Sequence, residues 1–220
     1  MFEWDWAFVA EILPVLAKAA IISIEATLIG FALAAVLGLI LALTRIAFPW
    51  TTLPISVCVE FVRSTPLLIQ VFYLFFVFPS FGITLDAFTT GVLALGIHYA
   101  AYCSEVYRSG FDNIHRGQWE ASTALNLGTW TTFRDIIIPQ AIPPIVPALG
   151  NYLVAMFKDT PLLSAIAVLE LMQTAKIIGS ENFRYTEPMT LVGLFFLAMS
   201  LVSASLIRAV ERMLNRRPAR

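Results

Sequence analysis

Two charged clusters interrupt an otherwise oily chain. Glu60 and Arg63 lie three residues apart, the spacing that lets an acid and a base pair on one helix face. Lys158 and Asp159 are adjacent and run into Thr160 and Pro161, inside what would otherwise be a continuous hydrophobic helix. A lone charge at membrane depth is costly, and pairing lowers that cost. Polar groups at helix ends and breaks are where a conduit would place them. An open alternative is that they simply hold helix breaks together. Glu25 is a further carboxylate, near the outer end of an apolar run, where snorkelling or a hydrogen bond competes with a functional role.

Other chemistry is poorly supplied. No glycine-rich loop followed by Lys-Ser/Thr is present, so the chain is not expected to bind ATP itself. His98 and His115 show no metal spacing with cysteine or carboxylates, and no strand–turn–helix context frames a nucleophile. Cys58 and Cys103 both lie in apolar runs and read as small helix residues.

The elements that must position the charges are membrane helices. The chain has 220 residues, 59% hydrophobic and 13% charged, with a mean hydropathy of +0.80. That composition is that of an integral membrane protein. The net charge of −1 gives no footing for nucleic acid. Glu3, Asp5 and Glu11 precede the first lysine, the wrong charge for a cleavable signal peptide.

The pattern predicts an all-α protein with about five spans. Residues 1–18, with Trp4, Trp6 and Phe8, read as an interfacial segment. Within a transmembrane domain over 19–212, spans are expected at 19–43, 54–78, 87–106, 145–157 and 189–210. Pro66 is expected to kink the second. The stretch 162–172 is too short to cross and reads as a re-entrant or interfacial helix after the fourth span. Residues 173–188 read as polar and exposed, and 213–220 as a basic tail. Small residues at Gly30, Ala34 and Gly38, and again at Gly96, Ala100 and Ser104, allow close helix approach.

Between the third and fourth spans lies a long polar, helix-compatible segment, 108–141. Trp119-Glu120-Ala121-Ser122 opens one helical piece, Asn126 and Gly128 interrupt it, and Trp130 to Ile138 forms a second. Pro139, Pro143, Pro144 and Pro147 are expected to close it. Helix, break and helix make a rigid knob suited to a soluble partner.

This segment resembles the EAA loop of permease subunits of bacterial ABC importers: Glu-Ala-Ala, three residues, Gly, nine residues, Ile, one residue, Leu-Pro. Glu120, Ala121, Ile136 and Pro139 match; Ser122 and Ile138 are substitutions. Asn126 stands at the glycine position. Asn is the next best residue where φ is positive, and Gly128 could share the turn. EFVRSTPLLIQ resembles the ELFRGTPLLVQ pattern of the polar amino acid uptake family. SEVYRSG and KDTPL follow that family too, with Pro161 in place of its serine. The run IPPIVPALGNYLVAMFKDTPLLSAIAVLELM, with HYAAY and YTEPMTLVG, is most similar to the branch that takes up ectoine and hydroxyectoine. A generic polar amino acid stays open.

The resemblance implies a permease subunit paired with a second one, as homo- or heterodimer. It also implies a cytoplasmic ABC ATPase dimer and a periplasmic or lipid-anchored solute-binding protein. The chain would bind no cofactor, with ATP and Mg on the partner ATPase. Glu120, Ala121, Ser122, Asn126, Gly128 and Pro139 would form the coupling site. The competing readings are a self-contained carrier or channel, for which Glu25 is thin support, and a scaffold or membrane enzyme, for which no catalytic set exists. Arg108, Arg116 and Arg134 and the five arginines from Arg208 onward place the coupling loop and C-terminus in the cytoplasm of an inner-membrane protein, and the N-terminus outside. Lys158, Lys176 and Arg184 must then lie outside, against the rule.

Overall fold

The structure, a computed structural model, describes residues 4–215; Glu3 and the tail arginines Arg216, Arg217 and Arg220 lie outside them. The described residues form helices and turns, without a strand. Long apolar runs dictate this, because only a helix satisfies every backbone group within its own segment in lipid.

Helix α1 spans Trp6–Ala47, 42 residues. At 1.5 Å per residue it is about 63 Å long, twice a bilayer core of roughly 30 Å. The expected boundary between an interfacial segment and a span at 18/19 is therefore no helix boundary. Asp5 caps the helix by accepting from Ala7 N and Phe8 N, and Pro14 sits inside it.

A short 3₁₀ turn, Pro49–Thr51, leads into α2, Thr52–Ser64. Helix α3, Leu67–Phe72, continues into a π segment, Tyr73–Val77. Pro66 breaks the expected 54–78 span by 101°. Proline cannot donate its backbone bond and pushes the preceding residue out of the α region; Thr65 is extended. Gln70 bridges the break, its Nε2 donating to Val62 O at 2.7 Å and Thr65 Oγ1 at 2.7 Å.

Helix α4, Ala87–Asp112, outlasts the expected 87–106. It packs along α1. The small residues meet there. A Cβ on Gly38 would lie 2.6 Å from Cys103 Cβ and 2.9 Å from Ala100 O, so the backbones touch. Ala34, Ala100 and Ser104 are buried in the same seam.

Helix α5, Arg116–Ala124, is followed by one helical turn, α6, Thr129–Thr131. A π segment, Thr132–Ile137, then enters α7, Ile138–Asp159. The prolines expected to close the coupling segment do not: α7 runs through Pro143, Pro144 and Pro147, and the fourth span begins well before 145. The wider π turn before Ile138 and the lipid's demand for internal hydrogen bonds keep the helix going.

The expected short helix at 162–172 is replaced. Thr160–Ile166 is 3₁₀, Ala167 turns left-handed at φ +59°, and α8 is Leu171–Glu181. Residues 173–188 are likewise not simply exposed. Leu171, Ala175 and Gly179 of α8 are buried, Leu171 and Ala175 in one cluster with Leu16 and Ala20 of α1. Glu170 caps α8, accepting from Met172 N at 2.9 Å and Gln173 N at 2.8 Å, fully buried beside Ser23. Helix α9, Thr186–Asn215, exceeds the expected 189–210 at both ends and takes in residues assigned to the tail.

Among the described residues three helices are long and apolar enough to cross a membrane, four with the bent pair as one span. Helix α4 is of spanning length but less apolar, because it carries His98, Tyr99 and Tyr102.

Candidate functional site

The segment 108–141 folds as a hook. His115 caps α5, its Nδ1 accepting from Gly117 N at 3.1 Å. At the other end Leu127 N reaches Ser122 O at 3.0 Å around Asn126, whose φ is +53°. That is the left-handed helix stop in which glycine is usual and Asn next best. Gly128 does not share it; at φ −64°, ψ 151° it caps α6 in an extended conformation.

The hook's two arms are pinned. Trp119 and Phe133 meet edge to face at 5.3 Å, and Gln140 Nε2 donates to Gln118 Oε1 at 3.2 Å. Beneath them Ile114, Ile137, Ala141 and Ile145 form a buried cluster. Glu120 and Ala121 face outward. Ser122 does not: it is buried, its hydroxyl donating to Gln118 O at 2.7 Å. Pro139 lies at the start of α7, where its missing N–H is least disruptive. Leu125 and Trp130 leave apolar surface bare at the tip, 71% and 75% exposed. Arg108, bonded to Glu105 and Asp112, braces the last turns of α4 that lead into the hook; the Glu105 carboxylate holds its guanidinium pKa above the ordinary value.

The charged clusters meet on a second face. Tyr99 lies midway along α4 and donates to Asp159 Oδ2 at 2.7 Å. The Tyr102 and Tyr152 rings meet at a tilt, 5.3 Å between centroids, and both stand within about 6 Å of Tyr99. The Arg63 guanidinium lies 5.1 Å over the Tyr102 ring. Thus Arg63 and Asp159, far apart in sequence, flank one tyrosine cluster. His98 closes it, 5.3 Å from Tyr102 and 3.2 Å from Gln70 Oε1.

The other expected members separate. Glu60 pairs with Arg63 at 3.6 Å, as the i,i+3 spacing requires, but is 70% exposed toward the coupling-loop end. Lys158 points to the exposed side. Thr160 is wholly buried and donates to Phe157 O at 2.8 Å. Glu25 stands with Asp86 in an open cavity at the opposite end. Asp86 caps α4, and hydrogen bonds from Thr89 hold its carboxyl below the ordinary value. The tyrosines were not singled out from sequence, although Tyr99 and Tyr102 sit at i,i+3 on one helix face.

An all-helical bundle of the described residues, with a hook on one end and a partly buried Asp159 at a helix break, has the form of a membrane permease subunit. Residues 34–216 match the family described as binding-protein-dependent transport system inner membrane component. A "probable amino-acid ABC transporter permease protein" of Sinorhizobium fredii is 44% identical, over 98% of this chain and 96% of its own. The glutamine transport system permease protein GlnP of Escherichia coli is 33% identical, over 97% and 99%. A crystal structure of an amino acid ABC transporter with histidines superposes with a TM-score of 0.90, at 32% identity over 96% of this chain and 100% of that one. The MetNI methionine ABC transporter, inward facing, shares the fold at a TM-score of 0.74 and 18% identity, over 97% and 100%. The chain belongs to this family of inner-membrane components, among its amino-acid ABC transporter permeases. It is a multi-pass inner-membrane protein, and permease subunits of this kind leave ATP hydrolysis to separate subunits.

Proposed function

We propose that the chain moves a small zwitterion, a polar amino acid or the cyclic compatible solutes ectoine and hydroxyectoine, through a conduit lined by Arg63, Tyr102, Tyr152 and Asp159. The observation that carries this is the face on which Arg63 and Asp159 flank the tyrosines at mid-span. Asp159 offers a carboxylate to the solute's cation, tyrosine faces attract it, and Arg63 offers its fork to the carboxylate. Lys158 and Thr160 act as the neighbours that hold the helix break.

In this reading Glu120, Ala121 and Asn126 seat in a groove of a cytoplasmic ATPase dimer that carries ATP and Mg. A second permease subunit completes the conduit, and a solute-binding protein delivers from the side of the N-terminus. The run of sequence that resembles the ectoine branch supports the cyclic solutes.

The test is ATP-driven uptake into vesicles holding the assembled transporter, with labelled ectoine and polar amino acids in competition. Asp159→Asn and Arg63→Gln are expected to cut uptake at least tenfold while ATPase co-purification stays normal. Uptake at the parent rate in both variants removes the conduit assignment. Uptake of amino acids that ectoine leaves uninhibited removes the ectoine reading alone.

A further inference from the structure

A polar cavity at the foot of the hook shares Arg63 with the tyrosine face and Arg108 with the end of α4, but is otherwise lined by different residues. It measures about 220 Å³ and lies between α2 and the C-terminal ends of α1 and α4. Arg45, Arg63 and Arg108 line it, with the hydroxyls of Thr52 and Ser56. Glu60 and Glu105 also reach it, so three positive charges face two negative ones.

Arg45 is the member that lacks partners. Its side chain is 4% exposed, and Nη1 donates to Glu105 Oε1 at 2.6 Å. Its Nε and Nη2 are buried with no partner. Buried donors are nearly always filled, and a guanidinium taken out of water needs more than one contact.

Helix α2 adds an independent observation. Its polar face, with Ser56 and Arg63, turns to the cavity. On its other face Leu53, Val57 and Phe61, four residues apart, are 74%, 61% and 69% exposed. Trp50 stands 78% exposed at the turn before it. Tryptophan favours the membrane–water interface. A basic pocket between helices at that level is suited to a phospholipid head group.

We propose that this cavity binds the phosphodiester head of a phospholipid from the leaflet on the coupling-loop side. Its acyl chains run along Leu53, Val57 and Phe61. A phosphodiester carries one negative charge, the charge that the lining lacks. The guanidinium fork matches two phosphate oxygens. The loose, exposed Glu60–Arg63 pair at the rim yields, so that a phosphate oxygen reaches Nε and Nη2 of Arg45. A lipid seated there ties α1, α2 and α4 together at the foot of the hook.

The test is native mass spectrometry of the full-length protein after detergent exchange, with phosphatidylglycerol supplied. Ser56→Glu places a third carboxylate in the cavity and cancels its positive charge. Arg108→Gln removes a lining donor and leaves the Arg45–Glu105 pair whole, and serves if the first variant does not fold. The parent protein is expected to retain phospholipid, and a folded variant to retain about tenfold less, the loss of one charge-assisted contact. A parent protein without lipid, or variants that retain it equally, overturns the proposal. Displacement by millimolar inorganic phosphate would assign the cavity to a soluble oxyanion. Displacement by a zwitterionic amino acid would make it the exit of the solute path. Either result also overturns it.

Discussion

The seam between α1 and α4 and the hook between α4 and α7 use small residues to opposite ends. In the seam, Gly38 is small because another backbone lies against it, with Ala100 O 2.9 Å from where its Cβ would be. In the hook, Ala121 is small and faces outward, with Leu125 and Trp130 bare beside it. The seam is complete within one chain. The hook is internally braced but presents surface that its own chain does not cover. Identical smallness accompanies packing in one place and bare surface in the other, and burial tells them apart.

The largest effect is expected where the seam is overfilled. Gly38→Leu drives a side chain into Cys103 and the α4 backbone, neither of which is a flexible end. Overpacking costs roughly 1–3 kcal/mol and more against backbone. The expected outcome is little or no folded protein after detergent extraction, read by gel-filtration yield. A well-folded Gly38→Leu variant would break the comparison, because the seam would then be no tighter than the hook.

Next comes Tyr99→Phe, which removes the donor to Asp159 at the helix break. Leaving that acceptor short of a partner costs about 1–3 kcal/mol. Thermal unfolding in detergent should show the loss, and Tyr152→Phe, whose hydroxyl makes no such hydrogen bond among the described residues, should show less. Equal shifts in the two variants would mean that Asp159 draws no support from Tyr99.

The hook should respond in the opposite manner. Glu120→Lys and Leu125→Asp alter outward-facing residues, so stability, read by thermal unfolding, should stay within about 0.5 kcal/mol of the parent, as is usual for surface changes. Coupled uptake should fall at least tenfold. Normal uptake in both variants, with the ATPase still co-purifying, would show that the hook's exposed face is not the coupling surface.

The seam was legible in the sequence because small residues four apart lie on one helix face, and their two stripes do meet. The hook was legible through Glu120, Ala121 and Asn126, but not where it ends, nor that Gly128 stands outside the turn and Ser122 faces inward. Pro143, Pro144 and Pro147 punctuate a helix in water, but in α7 the helix persists through them. Glu170 was not legible because it lies inside an apolar run; its cap bonds to Met172 N and Gln173 N are local, but its burial beside Ser23 comes from far away in sequence. The tyrosine face was not legible because its members too are far apart in sequence. Arg63, Tyr102, Tyr152 and Asp159 come from three helices, and no spacing within one helix brings them together.

The smallest effect sharpens the account of the hook's turn. Asn126 holds φ +53° and closes the Leu127 N to Ser122 O bond. Glycine enters that region without a Cβ penalty, whereas a β-branched residue meets one of about 1–2 kcal/mol. Asn126→Gly should therefore leave stability within about 1 kcal/mol of the parent, since lost strain offsets added unfolded-state entropy. Asn126→Val should destabilise by more, and should weaken ATPase association by altering the angle between α5 and α6. Co-purification yield across Gly, Asn and Val at this position measures that angle's worth. A yield that falls for Gly as much as for Val would mean that the Asn side chain itself is recognised, and that the turn's conformation is secondary.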